Sequence, residues 1–191
     1  MIERCAWSDT DDLYRLYHDV EWGFPVHDEL KHFEFLLLET MQAGLSWRLI
    51  LGRRDAYRRE FAGFDWRTVM DFDDSQINRL MLAPGLIHNR AKLLAAVKNA
   101  KAFENLRQEW GTFDCYIWHF TDGNPLINRW EHQGSIPVKT QLSDEVAADL
   151  KKRGFGFVGS VTIYSHLQAI GVINDHVIAC PRWKAVQEPS W

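Results

Sequence analysis

The chain has 191 residues, 46% of them hydrophobic and 25% charged, with a formal net charge of −4. This suits one domain with a sizeable core, and the acidic balance argues against binding nucleic acid by bulk charge alone. The longest unbroken aliphatic or aromatic run, Phe35 to Leu38, cannot span a bilayer, so no membrane association is expected. Met1-Ile2-Glu3-Arg4-Cys5 lacks a basic region followed by an apolar one, so no secretory leader is expected. Cysteines stand only at 5, 115 and 180, a sparse, odd set that reads as reduced thiols of a cytoplasmic protein.

Helical signals dominate in chain order, and the expected class is all-α. Asp11 or Asp12 caps a helix through Tyr14, Tyr17, His18 and Trp22, ended by Gly23-Phe24-Pro25. A second starts near Asp28 and closes near Gly44, and a third covers 46–61. Asp73, Asp74 or Ser75 caps a short helix through Ile77, Leu80 and Met81; Ala83-Pro84-Gly85 then breaks the chain. A long helix runs from Asn89 to Trp110, and 111–142 looks irregular. Ser143 opens a helix with acids in its first turn, Lys151-Lys152-Arg153 in its last and Gly154 at its cap, matching the helix dipole. Ser160 to Gly171 reads as helix, although Val158 to Tyr164 also fits a strand; Asn174 caps a last short helix holding His176 and Cys180.

Three groups of residues carry chemistry. Between Asp74 and Glu104 there is no acidic residue, while Arg79, Arg90, Lys92, Lys98 and Lys101 fall in that stretch. A Pro-Gly turn between helices offers backbone N–H groups to a phosphate, with lysines beyond it adding attraction; a merely solvated basic face fits as well. Cys5, His18, His176 and Cys180 make a complete tetrahedral zinc set, closed to water and therefore structural. By spacing alone, ordinary buried cysteines and histidines fit these four better. Glu39 lies at the edge of an apolar helical stripe, where it either faces solvent or lines a pocket and accepts hydrogen bonds from a purine edge. Nine tryptophans make the chain rich in flat rings, and Trp7, Tyr17, Trp22 and Trp47 flank Glu39 in sequence, as core or as a stacking pocket.

Arg4-Cys5-Ala6-Trp7, Tyr17-His18-Asp19-Val20-Glu21-Trp22-Gly23, Gln42-Ala43-Gly44-Leu45-Ser46-Trp47, Lys151-Lys152-Arg153-Gly154-Phe155 with Phe157-Val158-Gly159, and Asn174-Asp175-His176 follow one another in this order. Together they resemble the 3-methyladenine DNA glycosylase I family. The resemblance implies a helix-hairpin-helix DNA glycosylase fold: one domain over 1–182, the hairpin around 75–103, and a tail over 183–191. It implies a structural zinc held by Cys5, His18, His176 and Cys180, clipping the two ends of the chain together. It implies a base pocket of Trp7, Tyr17, Trp22, Glu39 and Trp47, and a DNA face including Leu45, Gly85, Arg90 and Lys92. The hairpin continues Ile87-His88-Asn89-Arg90-Ala91-Lys92, less arginine-rich than the family pattern, and Thr40 stands where a smaller residue is common.

The implied activity is excision of 3-methyladenine from alkylated double-stranded DNA by a monomer, with the free base as a product. The lesion in DNA is a cation with an already labile glycosidic bond, so recognition and extrusion matter more than protonation. No aspartate stands on the helix after the hairpin, leaving Glu39 as the candidate to orient water. No lysine there looks suited to a Schiff base, so a lyase step is not expected. Leu45 is a candidate to plug the gap in the stack. The rival readings are a zinc-stapled DNA-binding module with an inert pocket, and a hydrolytic zinc enzyme with three protein ligands and a bound water.

Overall fold

The computed structural model describes residues 4–188. Asp11 caps α1 (Asp12–Val20), accepting from Tyr14 N at 2.9 Å, and Asp28 caps α2 (Glu29–Gln42) through Lys31 N. Ser46 caps α3 (Trp47–Leu51), but the single helix expected over 46–61 is two, because the chain turns at Gly52-Arg53 before α4 (Arg54–Glu60). An unanticipated α5 (Trp66–Val69) follows Asp65. Asp73 and Gln76 form a capping box on α6 (Asp74–Leu80), and Asn89 caps α7 (Arg90–Trp110).

The later elements depart more from expectation. The stretch read as irregular holds α8 (Phe113–His119), capped by Thr112. Helix α9 (Gln141–Lys152) starts before Ser143; Thr140 is its cap, and Ser143 reaches back to Thr140 N at 2.9 Å. Residues 160–169 are helical, as α10 (Ser160–Ala169). The last helix, α11 (Pro181–Ala185), begins after Cys180, so His176 and Cys180 lie on the turn before it, not on a helix. It crosses the boundary expected at 182, and Val186 beyond it is buried, so packed structure continues into the segment expected as a tail. The only extended pairing among the described residues is two residues long, β1 (Leu126–Ile127) parallel to β2 (Ile173–Asn174).

Helix α2 is the centre of the molecule. Ten consecutive residues, His32 to Met41, are buried. A helix apolar nearly all round must be covered on every side, and α3, α7, α8 and α10 do so. Phe33 meets Phe103 of α7 edge-on at 5.4 Å. The C-terminal end of α2 would leave carbonyls without partners. Lys92 of α7 supplies them, its ammonium donating to Met41 O and Ala43 O at 2.6 Å each. Asn99, two turns on, donates to Thr40 Oγ1 at 3.3 Å and clasps both backbone groups of Gly156. The larger residue at position 40 is thus accommodated as the partner of Asn99.

Lys92 therefore corrects the expectation of a surface, phosphate-binding lysine: it is 4% exposed and its charge is spent on a helix end. Replacing it by methionine keeps the volume and strips two buried carbonyls of their donor. The expected loss is about 1.5–3 kcal/mol, the scale of a hydrogen bond to a charged group, read as a lower urea midpoint at unchanged slope.

Candidate active site

Trp7, Tyr17, Trp22, Glu39 and Trp47, chosen from the sequence, converge on one cavity of about 410 Å³. Four elements and the turn after α1, which carries Trp22, deliver them. Trp7 sits on the 3-10 turn Ala6–Thr10, Tyr17 is on the buried face of α1, and Glu39 is on the last turns of α2. The Gln42-to-Trp47 turn reverses the chain so that Trp47, first residue of α3, faces back. Trp7 packs edge-on to Trp22 at 5.1 Å, and Tyr17 lies 5.5 Å from the Trp47 ring.

Two glutamates on α2 show what is unusual here. Glu34 and Glu39 are both buried, at 5% and 3% exposure. Glu34 is answered by Arg54 at 2.7 Å, Arg58 at 2.9 Å and Lys31 at 3.1 Å. Burial alone would raise its carboxyl, but these cations hold it below the usual range. Glu39 has no such partner, and burial pushes it up to about 8. Its Oε2 and the Trp47 indole Nε1 are buried without a hydrogen-bond partner. The Tyr17 hydroxyl is driven well above its ordinary value, by burial first and then by the neighbouring Glu39 charge. The cavity thus holds an acceptor and a donor left unsatisfied among aromatic walls, a deficit that a flat polar ligand would fill.

Behind the cavity, Cys5, His18, His176 and Cys180 bring one donor atom each to within 4.8 Å of one another, all four residues buried. Each imidazole turns one nitrogen inward and has an acceptor for the other. His18 Nδ1 meets Asp19 Oδ1 at 2.8 Å, itself held by Arg4, and His176 Nε2 meets Trp22 O at 3.1 Å. Such outer partners fix the tautomer that a metal ligand needs. The Cys180 thiol beside Cys5, together with burial, pushes Cys5 up; the same contact and the two imidazoles hold Cys180 down. Two sulfurs and two nitrogens at this separation fit a metal ion with four protein ligands. Gly23 packs against the cluster at φ +84°, where a Cβ would lie 2.9 Å from His176 Nε2.

A profile of the methyladenine glycosylase family matches residues 7–183. The chain belongs to that family. It is 41% identical to the DNA-3-methyladenine glycosylase 1 of Escherichia coli over 94% of this chain and 96% of the relative. A crystal structure of a 3-methyladenine DNA glycosylase I superposes with a TM-score of 0.91 at 41% identity, covering 94% of this chain and 98% of the other. Another family structure, solved in complex with 3-methyladenine, superposes at 0.90 with 35% identity, over 93% of this chain and 95% of the other.

In this family member the sequence reading found one wall of the cavity and missed the other. Tyr14 and Gln42 stand three residues from Tyr17 and Glu39, and helical spacing could have placed them on the same face. The opposite wall, including Gln133, Ile136, Tyr164, Ser165 and Gln168, carries no local signal. The expected DNA residues diverge. Gly85 occupies φ +88°, and a Cβ there would lie 2.8 Å from Ala56 Cβ. Arg53 donates to Leu86 O at 2.9 Å and His88 bonds Ala83 O, so the turn is braced from within. Arg90 bridges α7 to α6 through Asn78 and Asp74 at 2.6 and 2.8 Å. Leu45 is half-buried in the turn leading to Trp47.

The raised Glu39 has a stability consequence. Its folded pKa of about 8 exceeds the unfolded value of 4.5, so between these limits the folded state binds the extra proton. Stability is therefore lost as pH rises from 4.5 to 8, by about 3 kcal/mol at pH 7. Glu39→Gln should match the parent in thermal midpoint near pH 4.5 and exceed it increasingly towards pH 8. Equal midpoints across that range would show that Glu39 is not a buried, unpaired acid.

Proposed function

We propose that this chain removes 3-methyladenine from alkylated double-stranded DNA by hydrolysing the N-glycosidic bond, leaving an abasic site. The observation that carries the reading is Glu39, a buried carboxylate with no cation, ringed by tryptophan and tyrosine. A cationic base supplies the missing charge. Stacking on Trp47 and Trp7 adds the attraction between a cation and electron-rich rings, offsetting the few kcal/mol that flipping a base costs. Ionised Glu39 and the Tyr17 hydroxyl face the polar edge of the base. Because the lesion leaves readily, the residues need only hold it, exclude bulk water and let one water, oriented by Glu39, reach the sugar.

The helix pair α6 and α7 with its Gly85 turn supports a helix-hairpin-helix reading, in which exposed backbone N–H groups hold a DNA phosphate. Lys98 and Lys101 lie exposed farther along α7. Among the described residues no lysine lines the cavity, and Lys92 is committed to α2, which supports a monofunctional reaction without a Schiff base. Leu45, on the turn beside the cavity, is placed in this reading to fill the gap left in the stack. Cys5, His18, His176 and Cys180 would hold zinc, which would supply a crosslink between the chain ends and no chemistry. The free cysteines support a protein working in the cytoplasm, in this reading as a monomer.

Chromatography of bases released from methylated duplex DNA tests the central reading: 3-methyladenine should appear, and its absence at full protein activity in DNA binding would favour an inert binding module. Trp47→Ala should weaken binding of the base by roughly 1–3 kcal/mol, the value of one stacked ring. Cation binding expels the proton from Glu39, so kcat/KM should climb with pH and level off near 8, while Glu39→Gln should be slow and flat. Metal analysis should find about one zinc per chain, as a closed four-ligand site holds one ion. Cys180→Ser should lose it and lower the thermal midpoint, since binding energy at such sites is folding energy.

A further inference from the structure

Asp175 is completely buried. Its Oδ1 accepts from Asn128 Nδ2 at 2.7 Å and Trp130 Nε1 at 2.6 Å. Its Oδ2 accepts from Gln168 Nε2 at 2.7 Å and from the Tyr164 hydroxyl. The amide and indole nitrogens can only donate, so the carboxylate serves purely as an acceptor, satisfied by neutral groups. Among the described residues no lysine or arginine forms an ion pair with it, in contrast to Glu34 on the same molecule. Its negative charge is solvated by the protein but not neutralised.

Two of these donors, Tyr164 and Gln168, line the cavity that also holds Glu39. A third, Trp130, leads into the segment whose Gln133, Ile136 and Pro137 form part of the same wall. Asp175 therefore stands one side chain behind the wall that the sequence motifs did not reveal. Because it can only accept, Gln168 must turn its NH2 group to Asp175, and its carbonyl oxygen is the end left over. Gln168 thereby has its carbonyl oxygen to offer a ligand in the cavity it lines, the polarity suited to the N–H edge of a cationic purine.

We propose that Asp175 is a positioning residue of the base pocket: it fixes Tyr164 and Gln168 in the far wall and adds a buried, unneutralised negative charge that favours a cationic base over a neutral one. The inference rests on the reading of the cavity as the lesion-base pocket. A charge surrounded by protein is screened far less than one in water, so it acts through the intervening side chain. The chain gives up hydration of this carboxylate to keep it here, where an apolar residue would pack without that cost. Its neighbour His176 belongs to the metal cluster, so one short turn serves both the clip between the chain ends and the pocket wall.

The test uses the metal-loaded protein and two purine probes, cationic 3,9-dimethyladeninium and neutral 9-methyladenine, each compared between parent and variant so that the extra methyl group cancels. Asp175→Asn should weaken the cation by about tenfold while changing the neutral probe less than about twofold, with zinc content retained; tenfold is the scale of a single charge–charge interaction in a partly shielded site. Equal losses for both probes, or no loss, overturn the proposal. Should Asp175→Asn lose zinc or fail to fold, the double variant Tyr164→Phe with Gln168→Met decides, because it leaves Asp175 and the metal ligands in place. It should release the wall and lower excision of the base at saturating protein, and unchanged excision and probe binding overturn the proposal. If the wild-type protein binds neither probe and releases no base, the reading of the pocket fails instead, whatever Asp175 does.

Discussion

The structure turns on the burial of helix α2 from His32 to Met41. A helix covered on all sides gives every polar residue on it two options, a partner or a purpose. Glu34 takes the first, inside a cage of Arg54, Arg58 and Lys31 that also gathers Glu21. Glu39, five residues on, has no partner and opens into the cavity. The same burial forces Lys92 to serve the carbonyls at the helix end and Asn99 to serve Thr40, so the long helix α7 is locked to the pocket floor. Much of the fold around the pocket can be understood as cover for this one helix.

The buried Cys/His cluster and the pocket are one assembly. Trp22 contacts Trp7 on one side and the His176 ring, at 4.5 Å, on the other. Tyr17 and His18 are neighbours on α1, one facing the cavity and the other the cluster. The cluster draws together residues more than 150 positions apart, and with them the turn holding Asn174, Asp175 and His176. A metal ion held at this place would tie together the aromatic walls as well as the chain ends. Both acidic groups at the pocket, Glu39 lining it and Asp175 behind its wall, have no lysine or arginine partner among the described residues.

Local rules were enough where chemistry and geometry are local. The helix starts at Asp28, Ser46 and Asn89 were legible, and the caps Asp11 and Asp73 were legible to within one or two residues, because a short polar side chain before a periodic run has few other uses. Most of the metal-binding candidates and pocket residues were legible because they sit in dense, unusual strings such as Tyr17 to Gly23 and Gln42 to Trp47, whereas Glu39 and Cys180 lie just outside them. The misplacements have equally local causes. Gly52 and Arg53 break 46–61 because the chain must turn there to bring α4 against the Gly85 turn, while Thr140 outcompetes Ser143 as a cap because Ser143 is itself the return arm of the box.

Sequence alone determined the helical class, the family motifs, the sulfur and nitrogen donors, and the presence of an acid among aromatic residues. It did not determine which basic residue is exposed: Lys92 and Lys98 look alike in sequence, yet one faces the end of α2 and the other faces water. Nor did it determine that Glu34 is paired and Glu39 is not, since the arginines answering Glu34 come from α4, some twenty residues away. The far wall of the cavity and the four donors around Asp175 come from segments that meet only when α10 packs on α2 and β1 pairs with β2. Charge on a side chain is written in the sequence, but whether that charge is hydrated, paired or left bare is decided by what tertiary packing sets against it.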